Sequence, residues 1–327
     1  MPELPEVEVI RRGLLSVLPG KTIADVNVSE ARSFPDFDQA LSERLVGTRV
    51  QDVLRRGKLL MVYLEAGSED ATDGYDHSGD VLLIHLRMTG QLIYRGFCSE
   101  DDPALAGGYP NASLIGELPD KSTRVIIGFD DASKLFFNDQ RKFGYLKLMT
   151  ISDLDQESFL MSLGPEPLDA GFTWQQLRAA LGGSGSRGSL KGGGKAQRGG
   201  GKAQRPVTIS VKAALLDQHR VAGIGNIYAD ESLFRARINP HREVSSLKPS
   251  DYQRLLAGIR ECLLQSIEDG GSTARNYVDA LGLRGEFLDR HAAVYGRAGQ
   301  PCPRCQKPIS KIRLAGRGTH FCEKCQR

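Results

Sequence analysis

The 327-residue chain has no run of about 18 apolar residues, which excludes an ordinary transmembrane helix. It also has no basic, apolar leader. Glu3, Glu6 and Glu8 stand where a secretory signal peptide needs positive charge and then a hydrophobic core. A cytoplasmic location with no membrane partner is therefore expected. Net charge is scarce: 43 Lys and Arg against 40 Asp and Glu leave only +3, too little to point to a partner. Cysteine is scarce as well, with six in all, and four of these fall in one pattern near the carboxyl end.

The distribution of charge says more than its sum. Residues 69–80 hold five acids and no Lys or Arg, whereas Tyr295 to the end holds eight Lys or Arg and one acid, Glu323. A basic end on a near-neutral chain suits a local polyanion-binding surface, with a solvated face as the alternative. Residues 182–205 contain ten Gly, six Lys or Arg and no acid, and repeat GGGKAQR in tandem. That composition predicts a flexible basic loop.

Periodicity divides the rest. In PELPEVEVIRRGLL, Leu4, Val7, Ile10 and Leu14 form an apolar stripe at helical spacing, and the acids precede Arg11 and Arg12 as the helix dipole favours. Between 48 and 150 the runs TRVQDVL, KLLMVYLEA, DVLLIHL, QLIYR, TRVIIGF, KLFFND and GYLKLM predict strands of a sandwich or barrel. The polar stretches 66–80 and 98–120 are expected to be long loops. The two prolines of LGPEPL mark a linker. Helices are predicted for TWQQLRAAL, ISVKAALLDQ, the stretch after GIGN, SDYQRLLAGIRECLLQSIEDGG with a Ser cap, and STARNYVDAL.

Three motifs carry chemistry. Cys302, Cys305, Cys322 and Cys325 form C-x2-C-x16-C-x2-C, the spacing of four thiolates around one structural zinc. Two disulfides are the alternative, disfavoured without a secretion signal. At the amino terminus, loss of Met1 would expose the amine of Pro2. An α-amino group titrates near 7.7–8.0 against about 10.4 for lysine, so far more of it is neutral at pH 7 and able to attack a sugar carbon. Glu3 beside it could move protons. Alone, PELPE could equally be a plain helix start. GIGNIYADE places paired glycines before a helix whose first N–H groups could meet phosphate; an ordinary turn is the alternative.

PELPEVE, RRGKLL, HLRMTG, DQRKFG, LGPEPL, GIGNIYADESLF, VYGR and the four-cysteine finger occur in this order. Together they make the chain resemble bacterial-type formamidopyrimidine-DNA glycosylases along nearly its full length. The related endonuclease-eight branch typically begins PEGPE, so Leu4 favours the oxidised-purine branch. The resemblance implies an α+β fold: a β-sandwich domain with the amino-terminal helix (2–150), a linker (151–172), a helical helix–two-turn–helix domain (173–285, interrupted by 182–205) and a zinc-finger β-hairpin (286–327). It implies a monomer acting on damaged double-stranded DNA with one structural Zn2+.

The resemblance also assigns roles. Pro2 matches the nucleophile, Glu3 the proton donor and acceptor, and Glu6 a supporting acid. Lys58 matches a lysine at the lesion nucleotide's phosphate, and His85, Asn226 and Arg317 match a phosphate clamp. Met88, Arg141 and Phe143 match the wedge that replaces the extruded base. Taken singly, Met88 and Phe143 read as core, His85 as a satisfied strand histidine and Lys58 as surface charge. Cys262 shares an apolar face with Leu255, Ile259, Leu263 and Ile267 and is expected in the core, and Cys98 in a loop. The chain departs from the pattern in its insertions, in the lesion-capping region near 273–290 and at Lys142, where a second arginine is usual. The rival readings are an enzyme for oxidised pyrimidines and a non-catalytic zinc-dependent DNA-binding protein.

Overall fold

The computed structural model describes residues 2–65, 79–96, 117–182, 209–272 and 284–327. The expected loops at 66–80 and 98–120, the basic insertion, the helix expected for STARNYVDAL and Cys98 fall wholly or mostly outside these residues. The chain divides into two compact units: Met1–Met161 with Leu263–His291, and Ser162–Cys262 with Ala292–Arg327. Among the described residues no helix is long and apolar enough to cross a membrane.

Among the described residues the first unit is built on eight strands. They are β1 (Ile23–Val28), β2 (Arg49–Arg56), β3 (Leu59–Glu65), β4 (Asp80–His85), β5 (Gly90–Arg95), β6 (Thr123–Phe129), β7 (Lys134–Asp139) and β8 (Tyr145–Thr150). All pairings are antiparallel, in two four-stranded sheets ordered β1-β6-β7-β5 and β2-β3-β4-β8. Alternation decides which side chains enter the core. Leu60, Val62, Leu64, Leu82 and Ile84 of one sheet share a buried cluster with Val125, Ile127, Leu135 and Phe137 of the other. Helix α1 (Leu4–Leu15) adds Val7, Ile10 and Leu14, all fully buried, to the same cluster. Truncating one such side chain to alanine costs about 2–5 kcal/mol, so α1 is held by packing.

The sequence reading had no element between 16 and 47, where β1 and α2 (Gln39–Leu45) lie. In β1 the burial runs buried, exposed, exposed, which breaks strict alternation, and a register shift between Ile23 and Asp25 accounts for the break. The segment 151–162 is also more than a connector. A 3-10 turn at Ile151–Gln156 and α3 (Ser158–Ser162) bring Leu154, Phe159 and Leu160 over Leu59, Val81 and Leu83 on the second face of the β2-containing sheet.

The second unit holds α4 (Trp174–Gly182), α5 (Val211–Leu216), α6 (Asn226–Ala236) and the hairpin β9 (Ser310–Leu314) with β10 (Arg317–Phe321). Helix α7 (Pro249–Glu268) is divided between the units after Cys262. Thr173 and Gln176 cap α4 reciprocally: the Thr173 N–H donates to Gln176 Oε1 at 2.7 Å and the Gln176 N–H to Thr173 Oγ1 at 3.3 Å. Helix α7 begins one residue before the expected Ser cap. Pro249 takes the first position, and Asp251 accepts the Lys248 N–H at 2.9 Å, so the acid supplies the cap instead. LGPEPL has no regular structure, as its prolines require, yet it is not a loose tether. The Gly164 N–H donates to Gln218 O, and a Cβ at Gly164 would lie 2.4 Å from the Arg220 backbone.

Candidate nucleic-acid interface and metal centre

The amino-terminal chemistry is organised by one buried carboxylate. Glu3 is the N-cap of α1, and its N–H donates to Glu6 Oε2 at 2.8 Å. The other oxygen of Glu6 accepts both the N–H and the hydroxyl of Ser272, each at 2.8 Å. Pro2, Glu3 and Glu6 are all buried. Glu6 therefore fixes the start of α1 against a segment 266 residues away in sequence, within one unit. No motif in the sequence marks Ser272 as the partner of Glu6.

Lys58 and His85 come next. Lys58 ends the β2–β3 turn, and His85 pairs with its neighbour Leu59 across the sheet. Both are buried. Burial, helped by the charges of Arg87 and Lys58, pushes the His85 imidazole down to about 3. It is thus neutral at physiological pH. Its Nδ1 accepts the Arg87 N–H at 3.1 Å, which leaves the proton on Nε2 as a donor. Behind the turn, Glu8 gathers Arg11, Arg12 and Arg55 at 2.9, 3.0 and 3.2 Å. Burial alone would raise Glu8, but hydrogen bonds from Arg11 and Arg12 and the charges of Arg11 and Arg55 outweigh it and hold the carboxyl at about 2.

Met88 and Phe143, which read singly as core residues, are exposed at 39% and 55%. They stand with Arg141 on two neighbouring turns. The Arg141 guanidinium lies 4.9 Å from the Phe143 ring centroid and donates to Met88 Sδ at 3.3 Å. Lys142 pairs with Glu30 at 2.5 Å and takes no part in this cluster.

In the second unit Asn226 and Arg317 are brought together. Asn226 opens α6, and its Nδ2 donates to the carbonyl of Gly318, the residue after Arg317. Arg317 itself is exposed at the start of β10. A fully buried ion pair holds this junction. Lys212 of α5 donates to Asp230 of α6 at 2.6 Å, to Thr319 Oγ1 at 2.7 Å and to Gly318 O at 3.2 Å. Asp230 in turn accepts the His320 N–H at 2.8 Å. Glu231 accepts the N–H groups of Ala293, Val294 and Tyr295, while burial raises its carboxyl. Lys212, Asp230 and Glu231 were not singled out from sequence, because charges inside a helical pattern read as solvated positions.

The four Sγ atoms of Cys302, Cys305, Cys322 and Cys325 lie within 4.8 Å of one another. The 302–325 and 305–322 separations are 3.9 and 3.5 Å. Tetrahedral ligands about 2.3 Å from a zinc ion are about 3.8 Å apart, so the donor set fits one zinc and is far too open for disulfides. The finger packs Cys302, Cys322 and Ile309 on Phe234 of α6, and the Arg304 guanidinium sits 4.2 Å from the Phe234 ring centroid.

Family models for three parts of one enzyme class match the chain in order. They are the formamidopyrimidine-DNA glycosylase N-terminal domain over residues 1–146, its H2TH domain over 201–278, and the zinc finger found in FPG and IleRS over 299–327. The formamidopyrimidine-DNA glycosylase of Geobacillus kaustophilus is 39% identical over 100% of both chains. That of Pelotomaculum thermopropionicum is 35% identical over 100% of this chain and 99% of its own.

This chain belongs to the formamidopyrimidine-DNA glycosylase family.

Solved structures agree. The MutM (Fpg) protein of Thermus thermophilus superposes with a TM-score of 0.75 at 34% identity, covering 99% of this chain and 98% of its own. The Lactococcus lactis Fpg bound to DNA with an abasic site gives 0.76 at 31%, covering 99% of each. The α+β architecture expected from sequence, with an amino-terminal β-sandwich, helix–two-turn–helix and zinc-finger hairpin, is the one observed. The finger matches the same family pattern, and its four cysteines are able to bind one metal ion.

Proposed function

We propose that this chain is a base-excision DNA glycosylase and abasic-site lyase for oxidised purines in duplex DNA. The observation that carries the reading is the start of α1. A proline and a glutamate able to move a proton are held there by buried Glu6, between the Glu3 N–H and Ser272. Pro2 is buried next to this fixed helix start, and removal of Met1 would free its amine to act as a nucleophile.

In the proposed reaction the Pro2 nitrogen bonds to C1′ as the bond from C1′ to the damaged base breaks. The base leaves with a proton. The aminal opens as the C1′–O4′ bond breaks and O4′ takes a proton, and in the resulting iminium C2′ is acidified, so loss of a C2′ proton expels the 3′ phosphate. A second elimination expels the 5′ phosphate, and water releases the sugar remnant. Glu3, next to Pro2 in the chain, would exchange these protons. Lys58 and His85 would hold the lesion phosphates, as would Asn226 and Arg317. His85 serves as a neutral Nε2–H donor. The exposed cluster of Met88, Arg141 and Phe143 would enter the stack, with Arg141 hydrogen-bonding the orphaned cytosine. The four cysteines would hold a zinc ion that fixes β9 and β10 and thereby Arg317. The protein would act as a monomer in the bacterial cytoplasm. The Lactococcus relative was crystallised with both abasic-site and Fapy-dG DNA, which is consistent with this substrate class.

The test is a panel of duplexes carrying 8-oxoguanine, a formamidopyrimidine or an oxidised pyrimidine, each scored for strand cleavage. The reading expects the two purine lesions to be cut fastest. Faster cutting of the pyrimidine lesion would place the chain with the endonuclease-eight branch. Binding without cutting of any of them would make it a zinc-dependent DNA-binding protein.

A further inference from the structure

Asp139 ends β7 and is fully buried, yet no role has been given to it. Its carboxylate takes four donors. Oδ1 accepts the Arg141 N–H at 3.1 Å and the Thr89 hydroxyl. Oδ2 accepts the Phe143 N–H at 2.8 Å and the Gly144 N–H at 2.7 Å. An ionised carboxylate offers about four lone-pair sites, and here they are filled by neutral groups from two different turns. Thr89 also accepts the Arg141 N–H at 3.1 Å, which closes a small ring between the turns.

The two turns are those that carry Met88 on one side and Arg141 with Phe143 on the other. Each also holds a non-glycine residue in the left-handed region, Arg87 at φ 48° and Lys142 at φ 57°. Such residues persist only where surrounding contacts over-determine the backbone. The fit leaves no slack. A Cβ at Gly144 would lie 2.7 Å from the Phe137 ring and 3.0 Å from His85 O, and one at Gly90 would lie 2.5 Å from Leu86 O. Glycine at both positions lets the turns close on the carboxylate.

We infer that Asp139 and Thr89 are positioning residues for the wedge, locking Met88, Arg141 and Phe143 into one preformed unit. The inference rests on the proposed glycosylase reading. Filling the vacated stack and reading the opposite base would then occur as a single step, since one carboxylate ties the Thr89 side chain of one turn to the backbone of the other. Asparagine is the same size but has one acceptor oxygen, and its amide would face backbone N–H donors with its own.

The experiment uses the full-length, zinc-loaded protein and a duplex with 2-aminopurine beside 8-oxoguanine. Stopped-flow fluorescence follows entry of the wedge, and single-turnover excision is measured opposite cytosine and adenine. Borohydride trapping on single-stranded abasic DNA, which has no stack to fill, reports the chemistry separately. Asp139→Asn is expected to slow wedge entry by about a hundredfold, as misplacement near 1 Å can do. It should also bring the cytosine-to-adenine ratio toward one. Its loss on duplex should exceed its loss on single strands by at least about tenfold. Thr89→Val removes both hydrogen bonds of the hydroxyl without changing size and should show the same pattern more weakly, while Thr89→Ser restores it. The valine and serine pair decides the matter if Asp139→Asn does not fold. Wild-type fluorescence kinetics and base ratio in Thr89→Val, or equal losses on duplex and single strands, would overturn the inference. A wild-type protein that traps no abasic DNA at all would instead overturn the glycosylase reading beneath it.

Discussion

The two units hold their candidate site residues in different ways. In the first, buried Glu6 and Asp139 are satisfied by backbone N–H groups and hydroxyls, so each carboxylate shapes the loops around it. In the second, buried Asp230 is satisfied mainly by a full ammonium, Lys212, and together they tie α5 and α6 to β10. A carboxylate dressed by neutral donors fixes local geometry at modest electrostatic risk. A buried ion pair is tolerable only while both partners are present. The Asn226–Gly318 junction is thus backed by a charge pair, whereas the turns of Met88 and Phe143 and the start of α1 are fixed by carboxylates that accept from neutral donors.

The sharpest way to break this contrast is Lys212→Met. It strands the Asp230 carboxylate in a site with no solvent exposure, and unfolding free energy should fall by about 3–5 kcal/mol. Chemical denaturation measures this, and adding Asp230→Leu should restore part of the loss. A single Lys212→Met variant as stable as wild type would remove the basis of the comparison.

Removing the metal should come next in size. Elemental analysis is expected to find one zinc per chain, and chelation or Cys305→Ser should weaken binding to damaged duplex, because the hairpin that presents Arg317 loses its fixed geometry. Unchanged duplex affinity in a metal-free preparation would contradict this. The first unit, which holds none of the four cysteines, should keep its near-ultraviolet aromatic signature under the same treatment.

Acid should affect the first unit gradually, and the smallest effect is expected here. His85 has a folded value of about 3, below its ordinary 6.5. The unfolded chain therefore takes up a proton that the folded chain refuses. Stability is complete above about pH 6.5 and falls as pH drops toward 3. Glu8, at about 2 against 4.5, adds a second loss between those values in the same direction. Thermal melts from pH 7 to pH 3 should show wild type losing more stability than His85→Gln. Equal slopes would mean that His85 titrates normally.

Much of this was legible in sequence, and the reason differs by element. Helix α1 and strands β2 to β8 announce themselves because each buries one face, so apolar spacing reports packing directly. The four cysteines are readable because metal geometry constrains spacing. The supports of the site were hidden for the opposite reason. Glu6 meets Ser272 across 266 residues and Lys212 meets Thr319 across 107, and no local pattern records such partners. Asp139 sits at a strand end, where an acid reads as a turn residue. Met88 and Phe143 needed the family resemblance, because an exposed apolar side chain has the same letter as a buried one.

The chain is proposed to work through the amine of Pro2, beside Glu3, whose N–H Glu6 holds at the head of α1. The most direct measurement is borohydride trapping with a duplex containing 8-oxoguanine opposite cytosine, using protein with Met1 removed. A stable crosslink is expected for the wild type. It should be nearly lost in Pro2→Gly or when an amino-terminal extension is retained, and mass spectrometry should place the sugar remnant on residue 2. Full trapping with a blocked amino terminus, or a remnant found on Lys58, would contradict the account.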